Sequence, residues 1–243
     1  MRAALILAST FLIAACNMAA DAQEGSEGSR GSGQMTQRSF DLAGFDSVSL
    51  AGPHDVVVTI GSAHSVRAEG DSEVLDKLKI EVDGRNVEIG MKRGNWNFRN
   101  RAKTTIFVTM PAIRGAAIAG SGDMKIDRAE GEQFSASIGG SGDIDVAALR
   151  VGEASFSVAG SGNVRAAGSA ARSKVSVAGS GDVDVGAVEA RNASVSIVGS
   201  GNVRARAMET ADISIMGSGD VEITGSAKCS VSKMGSGGVR CGA

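Results

Sequence analysis

The sequence is short of the residues that most often carry chemistry. Two histidines (His54, His64), one tryptophan, no tyrosine and 3% aromatics leave a thin inventory for acid–base work or ligand stacking. Only two prolines accompany the 34 glycines, and the glycines follow no strict triplet, which excludes a collagen-like chain. Twenty-five basic and 27 acidic residues leave a formal charge of −2, so no global field draws the chain to nucleic acid and none is expected as a partner. Hydrophobic residues at 42% exclude a wholly disordered polymer. Beyond residue 15 no run approaches eighteen apolar residues, so no later segment reads as a membrane-spanning helix.

What is present begins with an address. Met1-Arg2 precedes an apolar run from Ala3 to Ala15, broken only by Ser9 and Thr10. It is too short to span a bilayer and has the form of a secretory signal over residues 1–15. Two cleavage sites compete. Ile13-Ala14-Ala15-Cys16 resembles a bacterial lipobox, in which Cys16 is acylated and the membrane becomes a partner through an N-terminal lipid. Ala20-Asp21-Ala22 is an Ala-x-Ala site that would release a chain beginning at Gln23. The lipobox is favoured, because a cysteine directly after the apolar core is otherwise unexplained. Asn17 follows it rather than aspartate, which points to an outer-membrane lipoprotein, with a periplasmic or secreted protein as the alternative. Residues 16–37, rich in Gly, Ser, Gln and Glu, read as a flexible tether.

The C-terminal half, residues 112–243, is a repeat. Gly-Ser-Gly followed by Asp or Asn begins at Gly120, Gly140, Gly160, Gly179, Gly199 and Gly217, and a seventh copy at Gly235 ends in Gly238. The spacing is 18 to 20 residues. Stacked on the first glycine, positions on both sides alternate apolar and polar with period two: Phe156 and Val158 before the corner, Val164 and Ala166 after it. Each unit is therefore two short strands with one buried face, meeting at a glycine corner. One column decides how units stack. Lys125, Asp145, Arg165, Asp184, Arg204, Glu222 and Arg240 alternate in sign without exception. Rungs about 4.8 Å apart in parallel register make like charges repel and opposite charges pair. The expected fold is all-β: a parallel β-helix of seven rungs, rising about 34 Å. Cys229 and Cys241 fall at inward positions of the last rung, an even pair for a disulfide closing the C-terminal end.

Residues 38–111 are strand-like but less regular. Val56-Val57-Val58-Thr59-Ile60 and Thr105-Ile106-Phe107-Val108-Thr109 are strand segments, Asp83-Gly84-Arg85-Asn86 is a hairpin turn, and Asp71 to Leu78 holds one or two helical turns. This region is expected to cap the β-helix or form its first irregular rungs. Phe45-Asp46-Ser47-Val48, Asp55-Val56-Val57-Val58-Thr59-Ile60-Gly61, Val108-Thr109-Met110-Pro111 and the Gly-Ser-Gly-Asp repeats together resemble the family called putative auto-transporter adhesin, head GIN domain. The resemblance covers about residues 38–243 and implies a β-helix-like fold of unassigned activity, with no catalytic residues to transfer. No translocator barrel of a true autotransporter is expected within these 243 residues.

Three features invite a chemical reading. The Asp/Asn row (Asp123, Asp143, Asn163, Asp182, Asn202, Asp220) offers oxygen ligands for calcium, but its period is twice that of calcium-binding β-rolls, so turn-making is the better account and no metal or cofactor is expected. A serine column from Ser137 to Ser232 reads as a solvated face. In residues 91–103, Lys92, Arg93, Arg99, Arg101 and Lys103 surround Trp96 and Phe98 with no acid among them. Basic residues interleaved with aromatics suit a glycan or another cell-envelope component, and this loop is the candidate binding site; the plain alternative is a connecting loop over a β-helix end. The expected function is a non-catalytic, adhesin-like or structural envelope protein. Alternatives are a polysaccharide-active β-helix enzyme and a periplasmic sensor or scaffold.

Overall fold

Alternating apolar residues give each strand one face to bury, and paired glycines supply the corners that let successive strands stack. The computed structural model describes residues 34–94 and 104–242. The N-terminal part comprises β1 (Met35–Phe40), β2 (Ser47–Gly52), β3 (Asp55–Ile60), β4 (Ser65–Asp71), helix α1 (Ser72–Lys77), β5 (Leu78–Asp83), β6 (Asn86–Met91) and β7 (Thr105–Met110). The repeat follows as β8 (Gly115–Gly120), β9 (Met124–Ile126), β10 (Ala129–Gly140), β11 (Ile144–Gly160), β12 (Val164–Gly179), β13 (Val183–Gly199), β14 (Val203–Gly217), β15 (Val221–Thr224), β16 (Lys228–Met234) and β17 (Val239–Cys241).

The repeat is a parallel β-solenoid, as its periodicity requires. Strands β10 to β14 pair in parallel, in register on both sides of each corner and with register shifts in the return segments after Val146, Arg165 and Val185, and seven corners bound six complete coils. Inward columns such as Ala136, Phe156, Val175, Val195 and Ile213 are buried. The charged column stacks in register from Lys125 to Arg240. A second partly alternating series, Glu130, Arg150, Ser169, Glu189 and Arg206, runs along the side of the coil that returns to the next corner.

The stack also runs back beyond residue 112. β2 pairs in parallel with β8, and β3 with β9, so Gly52-Pro53-His54-Asp55 forms one more corner. Ser121 and Gly122 both donate to the Gly52 carbonyl, at 3.3 and 3.0 Å, as Ser141 and Gly142 donate to that of Gly120. Beyond it, β6 pairs with β2 and β7 with β3, again in parallel. The exposed edges of this first layer are covered by antiparallel partners: β5 on β6, and β4 then β1 on β7. The irregular N-terminal region thus both caps the solenoid and begins it. Its hairpin turn lies at Asp83–Asn86 with Gly84 at φ +59°, and the short helix lies at Ser72–Lys77, N-capped by the Asp71 carboxylate. At the other end β16 and β17 are unpaired edges carrying Lys228, Lys233 and Arg240, charges that discourage strand addition.

Candidate functional site

The corners show what the repeated motif does. The first glycine of each has φ between +127° and +147°, a region rarely open to side-chain-bearing residues, and a Cβ there would lie within 2.0–2.6 Å of the carbonyl oxygen one coil back. The serine between the glycines points to solvent, while its N–H and that of the second glycine converge on that same oxygen.

The Asp/Asn row is an axial hydrogen-bonded ladder. The Oδ1 atoms of Asp123, Asp143, Asn163, Asp182, Asn202 and Asp220 each accept the backbone N–H of the next member, ending at Gly238, over 2.6–3.2 Å. Asn163 and Asn202 also donate Nδ2 to Oδ1 of Asp143 and Asp182, at 2.9 and 3.0 Å. An amide above a carboxylate replaces repulsion with a hydrogen bond, which accounts for asparagine at these positions. Among the described residues no group of three or more His, Cys, Asp or Glu side chains is placed to hold a metal ion.

Beside the ladder runs a groove of about 700 Å³, lined by the row from Asn163 to Gly238 and the charged column from Arg165 to Arg240. At its centre Arg204 bridges Asp184 (3.3 Å) and Glu222 (3.1 Å), and these partners push its pKa further above the ordinary arginine value. Its acids are thus engaged along the axis, either with backbone or with arginine.

The basic loop meets the structure only at its start. Lys92 and Arg93 are exposed; Lys92 Nζ donates to the Asp76 carbonyl at 2.7 Å, beside the C-terminus of α1. Trp96, Phe98, Arg99, Arg101 and Lys103 lie outside the described residues, as does Cys16 with the signal and most of the tether. The flanks are informative. β6, paired with β2 as far as Leu50–Ile89, ends at Met91, and β7 begins at Thr105 opposite Asp55, so the ends of these two strands flank the Pro53-His54 corner of the next coil. Under this junction His54 is buried, its Nε2 3.1 Å from the Met91 sulfur, and burial pushes its pKa below the usual histidine value.

At the far end Cys229 and Cys241 form a disulfide that ties β16 to β17 across the corner, with Cα atoms 6.5 Å apart. One cluster escaped the sequence reading. Asp46, nearly buried, accepts from Arg85 Nε at 3.0 Å and faces Arg114 at 3.4 Å, pinning the hairpin turn to the first coil. The Arg85 hydrogen bond holds the Asp46 carboxyl below its ordinary pKa. Only the charge signs hinted at it, since the partners are 39 and 68 positions away.

Parallel coils, glycine corners and axial ladders define a β-solenoid head of repeated short rungs. Residues 44–227 match the family model for the putative auto-transporter adhesin, head GIN domain, and the chain belongs to that family. The solved structure of a putative adhesin from Bacteroides fragilis is similar, with a TM-score of 0.82 at 21% identity over 87% of this chain and 99% of that one. A putative lipid binding protein from Parabacteroides distasonis gives 0.70 at 23% identity over 86% and 97%. A putative adhesin from the same species gives 0.70 at 18% identity over 86% and 98%. At these identities the likeness is one of fold. Among curated protein sequences none matches.

Proposed function

We propose that this is an exported cell-envelope protein, anchored through an acylated Cys16, whose β-solenoid head is a non-catalytic binding or structural module of adhesin type. The observation that carries the reading is where the polar groups go. The carboxylates and amides of the corner row are used in stacking the coils, and Asp184 and Glu222 are held by Arg204. Repeated side chains here serve rigidity, which suits a presenting scaffold. The adhesin descriptions of family and fold relatives agree with it. The described residues contain no helix long and apolar enough to cross a membrane, so in this reading the lipid holds the head.

Within it, residues 92–103 are the contact loop for a glycan or another envelope component. Support comes from the sequence between β6 and β7, where five cations and two aromatics stand with no acid among them. Intact mass and membrane fractionation of the exported protein, beside Cys16→Ala, test the anchor. An acylated Cys16, with release to the soluble fraction only in the variant, is expected. A chain that starts at Gln23 and is soluble in both forms overturns it. The axial groove gives a polysaccharide-active enzyme its one foothold. Turnover of any polysaccharide that is lost in Asp184→Asn would replace the non-catalytic reading.

A further inference from the structure

The outer face of the solenoid before the corner differs from its other sides. On those sides charged residues recur from coil to coil, alternating fully in the column from Lys125 to Arg240 and partly in the series from Glu130 to Arg206. Here the two columns nearest the corner carry no charge from β2 to β16: one is Ser49, Ala117 and then serine in every coil.

The last column before the corner is graded in size. It starts with Gly90, Ala51, Ala119 and Gly139, passes Ala159, and ends with Ala178, Val198, Met216 and Met234. Val198, Met216 and Met234 protrude into solvent at 52%, 55% and 71% exposure. At the small-residue end lies a mainly apolar trough of about 410 Å³, floored by Ala51, Gly90, Ala117 and Ala119 and rimmed by the Lys79–Glu81 ion pair. Knob and hole therefore occupy opposite ends of one column on one molecule.

We infer that this face is the interface of a two-fold homodimer with antiparallel solenoid axes. A two-fold axis parallel to the strands and through the coil of Ala159 sets Ala159 on its own copy. It sets Ala178 on Gly139, Val198 on Ala119, Met216 on Ala51 and Met234 on Gly90, so each larger side chain meets a smaller one, twice over. The charges on the face also fit, because Lys174 falls opposite Ser135 and Asp212 opposite Ser47 in the next column out, and Glu88, which adds the serine column's one charge in the β6 layer, falls opposite Ser232. Nine coils at about 4.8 Å by three columns at about 6.6 Å cover roughly 850 Å² per copy, or about 1,700 Å² in all, within the usual range for a specific interface. A second copy is favoured over a polar ligand because protruding methionines gain from an apolar trough and nothing from a hydrated surface. The inference goes beyond the envelope reading and does not depend on it.

The test is sedimentation velocity of the exported chain carrying Cys16→Ala, from about 1 to about 100 µM. A concentration-dependent dimer is expected. Met216→Ser with Met234→Ser is expected to weaken association about 100-fold or more while leaving the melting temperature unchanged at dilutions where both forms are monomeric, since both side chains are exposed in the single chain. Ala159→Cys, on the two-fold axis, is expected to form a covalent dimer on mild oxidation, with Arg165→Cys on the charged side as the unreactive control. A monomer throughout the range overturns the inference and leaves the Cys16 anchor untouched. So does a dimer unmoved by the methionine changes, or an Ala159→Cys that cross-links no faster than the control.

Discussion

Gly179→Ala tests the account of the corners. Gly179 sits at φ +128°, and a Cβ there would lie 2.4 Å from the Gly160 oxygen. Cβ–oxygen contacts below about 3.0 Å are essentially never found, so the coils must part locally by more than half an ångström or the corner must twist. Either movement stretches the bonds from Ser180 and Gly181 to the Gly160 oxygen, now 2.9 and 3.1 Å. Strain at a forbidden backbone angle costs about 1–3 kcal/mol. Two weakened backbone hydrogen bonds add about 1 kcal/mol each. The total, about 3–5 kcal/mol, is a large part of a net stability of about 5–15 kcal/mol. At about 2–4 °C per kcal/mol, thermal unfolding followed by circular dichroism should fall by about 10 °C. The control is Gly139→Ala, two positions before a corner glycine's successor, where the nearest atom to a Cβ is 3.7 Å away and φ is ordinary. That change should shift melting by no more than about 2 °C. Equal losses in the two variants would refute the argument that backbone approach at the corner, and not glycine content in general, sets the requirement.

Three further outcomes follow from particular contacts. Ser173 is buried with its hydroxyl unpartnered in an inward column between Ala154 and Ala193, so Ser173→Ala should stabilise by about 1 kcal/mol, read as a raised urea midpoint. The buried His54 has a pKa below its unfolded value, near 6.5, so the unfolded chain takes up the proton first. Stability should therefore decline as pH falls below about 6.5, level off below the folded pKa, and show no such dependence in His54→Gln when urea midpoints at several pH values are compared. Reducing Cys229–Cys241 should loosen the last coil while the inner coils hold. A twelve-residue separation makes that bridge worth about 3 kcal/mol, and hydrogen exchange should lose protection in β16 and β17 but keep it in β12 and β13.

The repeat was legible because each of its features is local and recurs. Period-two alternation names the buried face, the glycines mark corners, and the sign of one column requires parallel coils in register. Cys229 and Cys241 could be paired because both fall at inward positions of one coil. The corner at Gly52 keeps the same frame, with Val48 and Leu50 before it and Val56 and Val58 after it, but Pro53-His54 stands in place of Ser-Gly. An insertion from Gly61 to Arg114 then separates it from the next coil and hides the period.

By itself the sequence determined the class of fold, the strand faces and the coil spacing, since these rest on neighbours within one coil or on exact repetition. Only the tertiary structure decided which partners meet across non-repeating distance. Asp46 finds Arg85 and Arg114, His54 lies beneath Met91, and the Oδ1 atoms of the corner row receive backbone N–H groups from the adjacent coil. The antisymmetric grading from Gly90 to Met234 likewise emerges only when β6 is placed ahead of β2. The reason is physical: alternation dictates what a strand buries, whereas stacking order dictates what its outer face meets.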